Sequence, residues 1–130
     1  MLYLSEWIGP TAVDVRPRRD IPLDLALYNP PCFFRRAGIE ALDKANISWR
    51  LAYTTSSLQS LWAGVTAGLG ITLRIANGLP LSLRQLDARN GLPSLPTVEL
   101  CLHAGQHEMP PALAELKRVV IENAVINLGV

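Results

Sequence analysis

Two short runs in this chain carry side chains that could grip a small anion. In the first, Thr54-Thr55-Ser56-Ser57 sets four hydroxyls in a row. Hydroxyls both donate and accept, and a row of them just ahead of a helix adds that helix's free N–H groups and positive end. The second run, Pro31-Cys32-Phe33-Phe34-Arg35, offers a thiol, aromatic surface and a guanidinium whose fork matches a carboxylate. Each has a plainer alternative. Ser56 could serve only as a helix cap, with Thr54 and Thr55 solvated. Cys32 could be a small buried residue, and Arg35 could pair with Asp24 or Glu40 instead of a ligand. A nucleophilic Cys32 would need a base, and the only histidines, His103 and His107, lie far along the chain. On a helix their spacing would present two rings to a metal. Gly105 and Met109-Pro110-Pro111 argue for a loop there, so neither a metal site, a cofactor nor a catalytic group is expected.

The elements that must position these runs read as alternating strands and helices. Leu2 to Ile8 is apolar and extended, and a Pro- and Arg-rich loop follows. Leu23-Asp24-Leu25-Ala26-Leu27 alternates with period two, the signature of a strand. Asn29-Pro30-Pro31 breaks it and prepares a helix from about Cys32 to Ala45, with Asn29 available as a cap. Phe34, Gly38, Ala41, Leu42 and Ala45 share a face of that helix, and Asn46 can stop it. Trp49 to Tyr53 is the next strand. Ser56-Ser57-Leu58-Gln59 has the form of a capping box, and Leu58, Leu61, Trp62, Val65 and Leu69 make the best helical stripe in the chain. Gly68-Leu69-Gly70 ends the helix before a strand at Ile71 to Ile75. Short connections in the order strand, helix, strand, helix, strand predict parallel pairing. The expected class is α/β: a mostly parallel sheet flanked by helices in three layers. Beyond it, Asn77 to Pro80 and Arg89 to Pro96 are turn-rich, Val98 to Leu102 alternates as a strand, and Pro110-Pro111 opens a final helix with Leu113, Leu116, Val120 and Ala124 on its apolar face.

Composition narrows the functions. With 130 residues the chain fits one domain, and 12 lysines and arginines nearly cancel 11 aspartates and glutamates. A chain that grips nucleic acid by itself concentrates positive charge, and this one does not. Arg16, Arg18 and Arg19 form the only basic cluster, in a segment that reads as a solvated connector. Leu51 to Leu73 is free of charge and long enough to raise a membrane span. The hydroxyl run at one end and the glycines at the other fit a turn, a helix and a strand better, so no membrane contact is expected. Met1 to Pro10 carries Glu6 and has neither a basic start nor a long apolar run, so no signal peptide is expected. Two distant cysteines, Cys32 and Cys101, then fit a reducing cytoplasm.

The ordered series Pro22-Leu23-Asp24-Leu25-Ala26-Leu27, Pro31-Cys32-Phe33-Phe34-Arg35, Ala41-Leu42-Asp43, Trp49-Arg50, Ser56-Ser57-Leu58, Ala67-Gly68-Leu69-Gly70-Ile71-Thr72 with Arg74, and Gly91-Leu92-Pro93-Ser94-Leu95-Pro96 resembles the second half of the effector-binding domain of LysR-type transcriptional regulators. The resemblance implies a fold like that of type 2 periplasmic binding proteins. It implies a second subdomain over residues 1–100, and a return segment with a C-terminal helix over 101–130 directed toward a first subdomain. Family members sense a small molecule between two such subdomains, pair side by side, and reach DNA through an N-terminal winged helix-turn-helix. For this chain the expected role is effector sensing and oligomerisation, with that DNA-binding part and most of the first subdomain missing. Its expected partners are a small carboxylate or aromatic acid and a second copy of the chain. The expected effector contacts are Pro31, Cys32, Phe34, Arg35, Thr54, Thr55, Ser56 and Ser57. The competing readings are a ligand-free oligomerisation fragment and a small hydrolase using Cys32 or Ser56.

Overall fold

The computed structural model describes residues 2–99 and 110–127, with the side chains of the last helix described to Asn123. The order is β1 (Leu2–Pro10), β2 (Leu23–Tyr28), α1 (Phe33–Lys44), β3 (Trp49–Thr55), α2 (Leu58–Thr66), β4 (Thr72–Ile75), β5 (Leu83–Leu86), β6 (Thr97–Glu99) and α3 (Pro111–Asn127). Two compact units divide the chain. One spans Tyr3–Val98, and α3 lies in the other.

In the larger unit the β2 alternation decides the layering. Leu25 and Leu27 are buried in one core with Ala37 and Leu42 of α1, whereas Ala26 between them enters a second core with Leu61 and Val65 of α2. β1 splits the same way, Trp7 to the α1 side and Ile8 to the α2 side. Side chains of a strand point alternately to opposite faces, so α1 and α2 cover opposite faces of the strands. That is the three-layer α/β arrangement expected from the pattern.

Pairing is more mixed than the order of elements suggests. β2 and β3 are parallel, with a register irregularity that skips Ala52 between Leu51 and Tyr53. The third strand touches β2 at one point only: Ile71 donates to the Asp24 carbonyl (3.0 Å) and accepts from the Ala26 N–H (2.8 Å) in a parallel bridge. From Thr72 onward it turns to β1 and pairs antiparallel. β5 and β6 join β1 as well, β5 antiparallel. Gly70 makes the Ile71 approach possible. A Cβ there would stand 2.8 to 3.0 Å from backbone atoms of Asp24, Leu25 and Ala26, closer than real Cβ atoms come.

Both helices of this unit end as their sequences indicate. Asn46 adopts φ 57°, and the Asn46 and Ile47 N–H groups bond back to the Asp43 and Leu42 carbonyls. Gly68 adopts φ 84°, with Gly68 and Leu69 bonding back to Val65 and Gly64. Both are left-handed caps of the Schellman type. The α2 stripe is buried at its centre, Leu61 and Val65, while Leu58 and Leu69 at its ends are exposed. The uncharged stretch Leu51 to Leu73 resolves into most of β3, a nine-residue helix and the start of β4. No helix among the described residues is long and apolar enough to cross a membrane. Trp7 is buried and donates to the Pro93 carbonyl at 2.8 Å, so it supports the core and does not border an open face. Trp49 donates to Asp43.

α3 carries Leu113, Leu116 and Val120 at 48%, 56% and 43% exposure. On its surface Arg118 bonds Glu115 and, at 2.6 Å, Glu122. The Arg118 bond holds the Glu115 carboxyl below the usual glutamate range, a little offset by desolvation.

Candidate functional site

The two runs singled out by their chemistry meet at one end of the parallel pair. Leu27 and Tyr28 of β2 stand in register with Thr54 and Thr55 of β3, so both strands run out into their helices side by side. Asn29 ties the two exits together: its N–H donates to the Thr55 carbonyl (3.0 Å) and its side-chain amide to Ser56 Oγ (2.8 Å). Asn29 therefore does not cap α1. Cys32 holds the N-cap position, and its side chain makes no capping bond. The peptide between Pro30 and Pro31 is cis.

The hydroxyl run is busier than a solvated turn. Thr55 Oγ1 accepts from the Ser57 N–H (3.1 Å), and Ser57 Oγ accepts from the Ser60 N–H (3.3 Å). The cap of α2 is thus Ser57, one residue later than the S-x-x-Q frame placed it, and Ser56 is engaged by Asn29 instead. Either serine could be read as a cap from sequence. Three of the four hydroxyls accept a local bond, yet each keeps an O–H to give, which is what a carboxylate requires. Thr54 is exposed at the edge of the sheet.

Arg35 departs from expectation. It donates to the Tyr28 carbonyl at 3.1 Å, clasping the end of β2; of the two acids weighed for it, Asp24 pairs with Arg50 at 2.7 Å, and no ion pair joins it to Glu40. Pro31, Cys32 and Arg35 also border an open groove along α1 with Arg36, Ile39 and Glu40, which none of the hydroxyl residues reaches. Phe34 turns toward a residue outside the expected set. The Arg74 guanidinium of β4 lies over the rings of Phe34 and Tyr28, 4.7 Å from each centroid. Sequence offered a signal for it: an arginine interrupting the apolar strand from Ile71 to Ile75.

The remaining chemistry is elsewhere or bland. Arg16 pairs with Asp14 and Arg18 with Asp20, both exposed, as a solvated connector would. His103, His107 and Cys101 lie outside the described residues. Among the described residues no group of three or more histidine, cysteine or acidic side chains could hold a metal.

No protein-family model matches the chain. Over 96 residues, 74% of its length, it is 38% identical to the HTH-type transcriptional regulator PecT of Dickeya dadantii (strain 3937). Over the same length it is 33% identical to the HTH-type transcriptional regulator DgdR of Burkholderia cepacia. The chain spans 30% and 32% of the length of these relatives. Its fold matches HinK, a LysR family transcriptional regulator from Pseudomonas aeruginosa, at TM-score 0.53 and 14% identity, over 74% of this chain and 38% of the other. It also matches the CcmR regulatory domain of Synechocystis PCC6803, solved in complex with 2-PG, at TM-score 0.54 and 11% identity, over 94% of this chain and 63% of the other. The fold is thus the α/β fold of LysR regulatory domains. In sequence the chain is similar to HTH-type transcriptional regulators of the LysR type, and in fold to LysR regulatory, effector-binding domains.

Proposed function

We propose that this chain is the effector-sensing portion of a LysR-type regulator, and that the paired exits of β2 and β3 are one wall of its effector site. The observation carrying this reading is the tie between them, with Asn29 joining the Pro31–Arg35 run to the Thr54–Ser57 run. Ligands of open α/β sheets gather outside the carboxyl ends of parallel strands, where hydroxyl donors and a helix N-terminus suit a small carboxylate or aromatic acid. Thr54, Thr55, Ser56, Ser57, Pro31, Cys32, Phe34 and Arg35 are the proposed contacts. The wall is assigned to the second of two subdomains, over residues 1–100, with 101–130 returning toward the first. In a complete regulator effector binding would favour one arrangement of the subdomains, which the DNA-binding part reports. DNA is reached only through that part, and the place of action is the cytoplasm.

One wall excludes little water, so the chain alone should bind sodium benzoate only in the millimolar range. Backbone amide shifts in a titration should concentrate in 29–35 and 54–57. Shifts spread over other surfaces, or micromolar affinity by calorimetry, would remove the reading.

A second role, self-association, is favoured by α3, whose Leu113, Leu116 and Val120 are exposed. Apolar helix faces of this kind tend to find a partner, so we propose a homodimer, with exchanged C-terminal elements. Light scattering at micromolar concentration should give twice the chain mass, and a monomer would count against it. The proposed role is not enzymatic. An esterase activity abolished by Cys32→Ala would reverse that.

A further inference from the structure

We infer that Arg74 is the anion-recognising residue of this site, taking the carboxylate of the ligand, with Tyr28 and Phe34 as its positioning residues. The inference rests on the reading of the strand exits above and adds a residue to it from a different element, β4.

Three observations carry it. The guanidinium lies over two aromatic rings, at 4.7 Å from each centroid. A guanidinium drawn against aromatic rings by its charge spends no N–H on a lone pair there, and the N–H donors along its edges are those that bind a carboxylate in parallel pairs. Second, among the described residues those edges meet no hydrogen-bond acceptor or carboxylate of the chain. Glu6 stands directly opposite Arg74 in the β1–β4 register, on the same face, and is the obvious competitor. The side chain turns instead to Tyr28 and Phe34, and no ion pair joins it to Glu6. Third, its two rings belong to the proposed wall: Tyr28 is in register with Thr55, and Phe34 stands in the first turn of α1. Arg35, by contrast, has a donor spent on the Tyr28 carbonyl. A half-buried, immobilised guanidinium loses little freedom on binding, which favours it over the exposed arginines of the connector.

The test uses this chain with its arginine side chains labelled in 15N, Arg74→Lys identifying the Arg74 Nε–H signal. Sodium benzoate, sodium acetate and neutral benzamide are titrated separately. Both carboxylates should move the Arg74 signal together with the amides of 29–35 and 54–57, and benzamide should bind at least about tenfold more weakly than benzoate. Arg74→Gln should weaken benzoate by at least about tenfold, with Arg74→Lys between it and the native chain. The benzoate–benzamide contrast on the native protein stands even where a variant misfolds. Junction amides that shift while the Arg74 signal stays still, or benzamide binding as tightly as benzoate, would overturn the role of Arg74 and leave the wall in place. An Arg74 signal that moves alone would uphold its anion binding and remove the wall. No shift anywhere would overturn both.

Discussion

The two strand-to-helix exits share a topology but start their helices in different ways. At the β3–α2 exit the run's own hydroxyls accept from the Ser57 and Ser60 N–H groups, through Thr55 and Ser57, so α2 begins with its own cap. At the β2–α1 exit Cys32 occupies the cap position without capping, and order comes from neighbours, namely Asn29 tied to Ser56 and Arg35 clasping Tyr28. One exit caps its own helix, and the other is held by Asn29 reaching across to its neighbour and by Arg35 reaching back to β2. A binding wall profits from both. The first gives a fixed surface, and the second leaves the opening turn of α1 short of acceptors.

The comparison can be broken first at its shared support. Gly70→Ala drives a Cβ against the β2 backbone, and should cost about 1–3 kcal/mol in urea unfolding. Because Ile71 braces β2 beneath both exits, amide shifts should appear on both sides. Shifts confined to the Gly68–Ile71 loop would mean the exits do not share that support.

A smaller effect should separate the exits. Ser57→Ala should destabilise by about 1 kcal/mol through loss of the α2 cap. Cys32→Ala should stay within about 0.5 kcal/mol, and Cys32→Ser should stabilise by up to about 1 kcal/mol by supplying the missing cap. Equal costs for Ser57→Ala and Cys32→Ala would erase the contrast.

The smallest effect concerns pH. Neither exit has an acid in its helix's first turn. The acid to follow is Glu115 on α3, whose carboxyl Arg118 holds low. Its contribution is full above the ordinary glutamate range and is lost as pH falls through the lowered value. Protection of the α3 amides, taken relative to intrinsic exchange at each pH, should therefore fall in that acid window, and Glu115→Gln should remove that fall. Unchanged protection across the window would assign the pair no structural role.

Local patterns made much of this legible. The alternation of Leu23 to Leu27 fixed a strand and the helical spacing around Leu61 and Val65 fixed α2, because each reflects burial by neighbours close in sequence. Asn46 and Gly68 marked helix ends for the same reason. What sequence could not place was set by distant partners. Thr72 to Ile75 pairs with β1 from the other end of the unit, which no local pattern encodes. β5 is masked in the sequence although Leu81-Ser82-Leu83-Arg84-Gln85-Leu86 alternates through much of its length, because turn formers crowd both of its sides. At the site, residue types pointed to the right junctions, but the use of each side chain depended on competition. Asn29 went to Ser56 instead of its own helix, Arg35 to a carbonyl, and Arg74 to two rings.

The single bridge at Ile71 has a kinetic meaning. Two amide hydrogens, those of Ala26 and Ile71, join the parallel pair of strands to the antiparallel group. Such a seam has almost no ladder to unzip, so what keeps it shut is the packing of Leu25, Ala26 and Ile71, each 2% exposed or less. Those two hydrogens should therefore exchange with solvent at one common rate, set by parting of the core, and serve as a built-in clock for the opening of the whole unit.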